Sequence, residues 1–356
     1  MRSLVISNPH STSLTSDVLR AVISPLREVT HIHSVHTTHP GHAEEITAGL
    51  TRDDYDAVIV VGGDGTVGEA INGLVGSADP DPASLPLLVP VPTGSANVFA
   101  RALGYPNVPG EAARKAARLL AAGITRTVPL GHVSGDRPRW FAVNVGCGLD
   151  GAVIAAMERL RRQGISASAG NYAWVTARAW AQMAAHPPQI MATATGVDGS
   201  TQTFTDVPLV LISKTIPWSY AGVVPLITNP AARVEAGLSV FALSSLTGFH
   251  GFAGMMRTFG AAGRHLLWGM DFTDVERRAD DLAVVQLRAD RQLPIQVDGE
   301  FYGRASELTV TSVPQVIEVV ADPRDRFDDV LGFVNRVMEH TVTRIHEKTQ
   351  IVLQDI

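Results

Sequence analysis

A three-layer α/β domain followed by an antiparallel β-sandwich domain is the fold class this sequence predicts. Three observations predict it. Short β-branched runs alternate with helical patterns up to about Pro129, which is how a parallel sheet covered by helices reads. Beyond that point short apolar runs follow one another with few crossover helices between them, as in an antiparallel sandwich. Finally, 356 residues with 45% apolar and 18% charged side chains are enough for two separate cores. The predicted division is 1–129 and 130–322, with a terminal helix over 323–356 packing back on the first domain.

In the first domain "SLVISNP" and "VTHIHSV" read as strands, and "SDVLRAVISPL", "HAEEITAGL" and "TVGEAINGLV" as helices. "LPLLVPV" is a further strand, and "GEAARKAARLLAAG" closes the unit as a helix stopped at Gly123. In the second domain "RWFAVNV", "VPLVLIS", "LSVFAL", "AVVQLRA", "LPIQVD", "ELTVTS" and "QVIEVV" read as strands. Helical insertions fall at "GAVIAAMERLRRQG", "NYAWVTARAWAQMAAH" and "GFAGMMRTFGAAGRHLLWGM". Phe327, Val330, Leu331, Val334, Val337, Met338, Val342 and Ile345 recur at helical spacing and define one face of the terminal helix.

The formal charge of −6 argues against broad nucleic-acid binding, which needs an excess of basic residues on one face. The single cysteine, Cys147, excludes an intrachain disulfide and reads as a small buried residue between glycines. "MRSLVISNPH" lacks the apolar core of a signal peptide, and no apolar run is long enough for a transmembrane helix. The expected location is therefore the cytoplasm, with attachment to a membrane surface left open.

The turn "VVGGDGTVGEA" carries most of the chemistry. Glycines after an apolar strand bring backbone close to a ligand, and the helix that follows offers unpaired N–H groups and the positive end of its dipole. That is a phosphate site in outline. Asp64 makes sense there as a cation ligand or proton acceptor, since two anions would repel, or it caps a helix in a solvent-facing turn. Thr66 either caps the helix or touches phosphate. A second strand–turn–helix, "VPVPTGSANVFARALG", repeats the arrangement, and two such turns on neighbouring parallel strands meet at the carboxyl edge of the sheet. The chain has three lysines, the first at Lys115, so neither turn carries a Walker-type lysine. Phosphate is left to backbone amides, hydroxyls, arginine and metal.

With "GGDGT", "PTGSANVFARALG" and the opening "SNPHS", the sequence resembles the diacylglycerol kinase and sphingosine kinase superfamily, bacterial soluble lipid kinases especially. The resemblance extends to "THPGHAEEI", "NVGCGLDGAV" and "VDGE". It implies a phosphofructokinase-like nucleotide domain, a β-rich lipid domain, and ATP and Mg2+ as cofactors. By position, Asn8, Pro9 and Ser11 match the first nucleotide loop, Gly62, Gly63, Asp64, Gly65 and Thr66 the phosphate and magnesium loop, and Thr93, Gly94, Ser95 and Asn97 the second phosphate loop. Thr38 and His42 stand where members of the family approach the nucleotide. Glu300 matches the general base, with Asp298 as its acidic neighbour and a second candidate for metal. Glu235 is the retained acid of an accessory magnesium segment in which Ala236 replaces another acid. Asp150 either joins the cleft or caps the following helix.

The implied reaction is phosphoryl transfer from ATP to diacylglycerol, giving phosphatidic acid. Alternatives are a sphingoid or other long-chain alcohol, an acceptor like that of NAD kinases, which share the GGDGT turn, and a silent lipid-binding module. The implied partner is a membrane lipid reached by peripheral contact at the inner face of the membrane. Trp174, Trp180, Met183, Met255, Met256 and Trp268 are candidates for lipid pocket or core, and Arg159, Arg161 and Arg162 for anionic headgroups. A sheet edge or the terminal helix would serve a homodimer.

Overall fold

The computed structural model describes residues 1–9, 11, 13–76, 80–163, 169–222, 224–248, 251, 253–254 and 275–323. The terminal-helix prediction and the Met255, Met256 and Trp268 region lie outside these residues.

The first half alternates as predicted: β1 (Arg2–Ser7), α1 (Ser16–Arg27), β2 (His31–His36), α2 (His42–Thr47), β3 (Ala57–Gly62), α3 (Asp64–Val75), β4 (Leu87–Pro92), α4 (Val98–Ala102) and α5 (Pro109–Ala121). Local signals set several ends. The Thr15 hydroxyl accepts from the Val18 N–H, 3.3 Å, at the start of α1, and Pro109 opens α5, where no N–H is needed. The four strands are parallel in the order β2–β1–β3–β4. β3 is buried along its whole length, hence its unbroken apolar run AVIVVG. Parallel order puts the turns after all four strands at one edge of the sheet.

The second half comprises β5 (Arg126–Ser134), β6 (Arg139–Phe141), β7 (Asn144–Gly148), α6 (Leu149–Arg162), α7 (Ala169–Ala185), β8 (Ile190–Gly196), β9 (Thr201–Val207), β10 (Leu209–Ser213), β11 (Ser219–Ala221), β12 (Val224–Leu226), β13 (Leu238–Leu243), β14 (Glu276–Val297) and β15 (Glu300–Val319). Pairing among β7, β10, β13, β14, β15, β5 and β8 is antiparallel. β13, β10, β7 and β14 are hydrogen-bonded in a closed circuit, since β14 pairs with β7 near one end and with β13 near the other.

Two pairs of predicted strands are single long strands. "AVVQLRA" and "LPIQVD" are both β14, and "ELTVTS" and "QVIEVV" are both β15. Register shifts at Arg288/Leu293 and Val313/Ile317 bend the chain without removing it from the ladder, so the interruptions in the pattern mark bulges. "RWFAVNV", by contrast, is broken into β6 and β7 at Ala142–Val143. Asp298 from the β14–β15 turn binds the backbone there, as described below.

The two halves form one mixed sheet. At its far end β15 turns parallel and pairs Val319 with Leu88 of β4, and Val316, Ile317, Val319 and Val320 are buried in the same core as Ile59, Ile71 and Leu88. A second core lies inside the antiparallel circuit around Val145, Val240, Val285 and Val310. A third packs α6 and α7 on β10 and β13 through Met157, Val175, Leu209 and Phe241.

Candidate active site

The turns after β1, β3 and β4 are hydrogen-bonded to one another. Asn8 N–H donates to Val61 O, 3.2 Å, and Thr93 N–H to Gly62 O, 3.0 Å. The Ser11 hydroxyl bridges to Thr93 O and Thr93 Oγ1, both 2.7 Å, and Asn8 Nδ2 donates to the nearly buried Thr66 Oγ1, 3.3 Å. Asn97 folds back on its own turn, accepting from the Gly94 N–H and donating to Gly94 O, both 2.8 Å. Pro9 and Ser95 are exposed at the rim. All the residues of the three predicted loops therefore converge.

The closest approach is glycine against glycine. A Cβ placed on Gly94 would lie 2.6 Å from Gly63 Cα and 2.9 Å from Asn97 Oδ1, closer than carbon and oxygen pack. Gly94→Ala is expected to push the two turns apart, costing about 1–3 kcal/mol as overpacking does. Affinity for an ATP analogue, read by calorimetry, should fall at least about tenfold. Unchanged affinity would show that the contact does not shape the site.

The turn after β2 joins the same edge. The Thr38 N–H donates to His42 Nδ1, 3.0 Å, which leaves the ring proton of neutral His42 on Nε2. The His39 and His42 rings stack 4.7 Å apart. Glu69 of α3 accepts from the N–H groups of Gly41 and Ala43 at 2.8 and 3.2 Å, so α3 holds the start of α2.

Asp64 differs from its expectation. Rather than standing in a solvent-facing turn it is partly buried, and its carboxylate accepts from the Val98 and Phe99 N–H groups at 2.9 and 3.0 Å. It caps α4, so one carboxylate locks the glycine turn after β3 to the helix that follows β4. Burial raises its pKa, against the pull of those N–H groups and of Arg101. Arg101 projects from α4 onto the ring of Tyr220, 3.1 Å from its centroid, and ties the β11–β12 hairpin to this site.

The β14–β15 turn brings the carboxyl-terminal half to the same place. A Cβ on Gly65 would lie 2.4 Å from Glu300 Oε1, and one on Gly68 would lie 3.6 Å from Asp298 Oδ2. The two acids of "VDGE" thus rest on the first turns of α3, and only glycine at 65 leaves room for Glu300. Arg139 holds Glu300 at 3.3 Å and reaches Glu44 at 3.9 Å.

Asp298, at φ +49°, accepts from the N–H groups of Ala142, Val143 and Asn144 at 2.9, 2.8 and 3.0 Å. These bonds fix the corner between β6 and β7 and occupy the carboxylate, so Asp298 reads as a positioning residue. Burial pushes Asp298 up to about 7; the three N–H groups oppose that, and Asp64 adds to it. A carboxyl that holds its proton more tightly folded than unfolded stabilises the fold at low pH. That contribution is lost as pH rises through about 7. The stability of the wild type relative to Asp298→Asn should therefore decline from acid to neutral pH and level off above it, in thermal melts; a constant difference would remove the assignment.

Behind the turn lies a buried polar chain that the sequence did not disclose. Gln296 Nε2 donates to Asn144 Oδ1, 2.6 Å, and to Asp150 Oδ2, 2.7 Å, while its Oε1 accepts from the Gly299 N–H, 2.7 Å. Asp150 therefore joins the site through Gln296, and burial lifts its pKa to about 6. Alternation in "LPIQVDGE" marks Gln296 as a core position, so a polar residue there was the available signal. Arg101 and Arg139 carried no such mark. Glu235 stands apart from all of these, paired with Arg126 at 3.1 Å. Cys147 is buried, and burial pushes its thiol up to about 12, which agrees with a packing role.

Residues 2–133 match the family model of the diacylglycerol kinase catalytic domain. A diacylglycerol kinase of Bacillus subtilis is 33% identical over 149 residues, 41% of this chain and 45% of that one. A probable lipid kinase (YegS-like) of Xanthomonas euvesicatoria is 37% identical over 113 residues, 32% of this chain and 35% of that one. The matches thus span less than half the length of these curated relatives. Among solved structures, a diacylglycerol kinase from Bacillus anthracis superposes with a TM-score of 0.62 at 19% identity, covering 90% of this chain and 97% of that one. An NAD kinase from Archaeoglobus fulgidus in complex with ATP gives 0.50 at 12% identity, covering 94% and 99%. These likenesses establish the fold, a mixed α/β sheet shared with both kinases. Within it, the catalytic-domain match contains the turns after β1, β2, β3 and β4, whereas the turn of Asp298 and Glu300 lies outside it.

Proposed function

We propose that the chain transfers the γ-phosphoryl group of ATP to the hydroxyl of a diacylglycerol-like lipid, giving phosphatidic acid. The observation that carries this reading is the placement of Glu300 against Gly65. A carboxylate from the far half of the chain sits on the turn that would hold the terminal phosphate.

In this reading residues 1–129 form the nucleotide domain and 130–322 the acceptor domain, a β-sandwich in type, with β15 returning to the first core. The N–H groups at the start of α3 would face the phosphates, joined by the hydroxyls of Ser11, Thr66, Thr93 and Ser95, while those of Val98 and Phe99 at the start of α4 stay with Asp64. Thr38 and His42 line the nucleotide's approach. Asp64 would hold Mg2+, directly or through water, and the ion would neutralise charge on the phosphates. Glu300 accepts the proton of the lipid hydroxyl as that oxygen attacks in line, and Arg139 fixes the carboxylate's position.

Lipid must be drawn from a membrane, and α7 offers a contact. Trp174 is 59% exposed on its outer face, with the Arg178 guanidinium 5.6 Å from its ring centre, an apolar anchor beside a cation for anionic headgroups. Of the three α6 arginines, Arg162 pairs with Glu158 and Arg159 donates to Ala155 O, which favours a solvated helix face for those two; the Arg161 side chain lies outside the described atoms. Val175, Ala179 and Met157 pack as core. Among the described residues no helix is long and apolar enough to cross a membrane. Arg178→Glu is expected to weaken binding to phosphatidylglycerol vesicles by about fivefold or more, as loss and reversal of a surface charge worth about 1 kcal/mol implies. Unaltered sedimentation with vesicles would move the contact elsewhere.

The deciding experiment offers diacylglycerol, sphingosine, ceramide and NAD in parallel with labelled ATP and magnesium, in mixed micelles, with Asp64→Asn as control. Transfer to diacylglycerol that vanishes in the variant supports the reading. Transfer to sphingosine or NAD replaces the acceptor and keeps the kinase, and no transfer to any of them, with ATP still bound, overturns it.

A further inference from the structure

Lys214 follows β10 and is 3% exposed, one of the most deeply buried charged groups of the described chain. Its Nζ donates to three backbone carbonyls of one loop: Val234 O at 3.2 Å, Gly237 O at 3.3 Å, and Ala236 O in the shortest contact of the three. Three convergent carbonyls around one positive charge are the arrangement by which a loop holds a cation. This is the segment in which the family resemblance implies an accessory magnesium, with Glu235 as the retained acid.

The residues do not fit that ion. Magnesium requires several oxygens at about 2.0–2.1 Å in near-octahedral order, carboxylates among them. Here position 236 is alanine, and Glu235 turns outward to Arg126, 3.1 Å away, whose side chain is only 11% exposed. Asp281, the other acid beside the loop, accepts from the Gly237 N–H at 2.9 Å. The carbonyls already face an ammonium, and a second cation among them would meet direct repulsion at short range. Three carbonyl acceptors take all three protons of the ammonium, so Lys214 carries its charge here, although burial lowers its pKa to about 8 with Glu235 and Asp281 opposing the fall.

We propose that the Lys214 ammonium is the resident cation of the 234–237 loop, a tethered charge in place of a divalent metal, and that this loop binds no magnesium. The consequence reaches the candidate active site through the backbone. Lys214 N–H donates to Val143 O, 2.7 Å, and the Val143 N–H is one of the three held by Asp298. A loop closed by a lysine tethered to the end of β10 keeps that corner in place whatever the free magnesium concentration.

The chain's three lysines, Lys115, Lys214 and Lys348, make the test direct. The folded full-length protein is reductively methylated with and without a chelator, and modification is read lysine by lysine by mass spectrometry. Lys214 is expected to stay unmodified in both conditions and to react once the chain is denatured. Modification of Lys214 in the folded protein at the rate seen in the denatured chain, or protection that disappears with the chelator, would overturn the proposal. A second arm follows the thermal midpoint of Asp64→Asn, which separates magnesium at the GGDGT turn from magnesium at the loop. No shift on adding magnesium is expected, and a saturable rise would place a metal in the loop after all. Neither arm depends on kinase turnover, so the outcome stands apart from the proposed acceptor.

Discussion

Glu300→Gln is expected to lower kcat by about a hundred- to ten-thousand-fold, the range for loss of a general base, while leaving affinity for ATP nearly unchanged. The substitution keeps shape and the hydrogen-bonding partner at Arg139, so packing on Gly65 survives, yet it removes the only function a proton acceptor has. Steady-state rates over a range of ATP and lipid concentrations, set beside calorimetric binding of a non-hydrolysable analogue, separate the two effects. A loss confined to nucleotide affinity would mean that Glu300 supports the phosphate turn and that the base lies elsewhere. The Gly65 contact sharpens the point, because Gly65→Ala should displace Glu300 and reproduce much of the kinetic defect without altering its carboxylate.

Asp64→Asn should reduce turnover by at least about a hundredfold, the scale on which a single electrostatic contact to a reacting group acts. It also costs stability, contrary to what a solvent-facing turn implies. The carboxylate accepts two N–H groups of α4. An amide replaces one acceptor oxygen with a donor, so one bond is lost and a second N–H is faced by like polarity, worth about 1 kcal/mol at a helix start. Thermal melts with kinetics on the same preparations make this visible. Full activity would remove Asp64 from the mechanism. Full stability with no activity would show that the cap is dispensable and only the charge matters.

The α/β half was legible because its signals are local. Apolar runs of strand length, helical periodicity and glycine turns each report on a few neighbouring residues, and parallel order then brings the turns to one edge. Asn8, Ser11, Gly62, Gly63, Thr66, Thr93, Gly94 and Asn97 all lie there. The antiparallel half was legible as a class and in strands such as β10 and β13, but not in the extent of β14 and β15. Register shifts in β14 and β15 interrupt the alternation without ending a strand, and no local rule distinguishes a bulge from a turn in advance.

Sequence by itself therefore determined the glycine turns after β3 and β4, the acid in the first of them and the acidic turn near the far end of the chain, since each is a short motif with its own local signal. Tertiary structure decided what those motifs do to one another. It set Asp64 as the cap of a helix from another turn, put Glu300 on Gly65, and engaged Asp298 with the backbone of a strand corner. It also turned Glu235 away to Arg126 and filled the neighbouring carbonyls with Lys214. Each of these is a long-range contact, fixed by how the strands are ordered in the sheet, and a side chain's partner across such a distance leaves no trace in its neighbours.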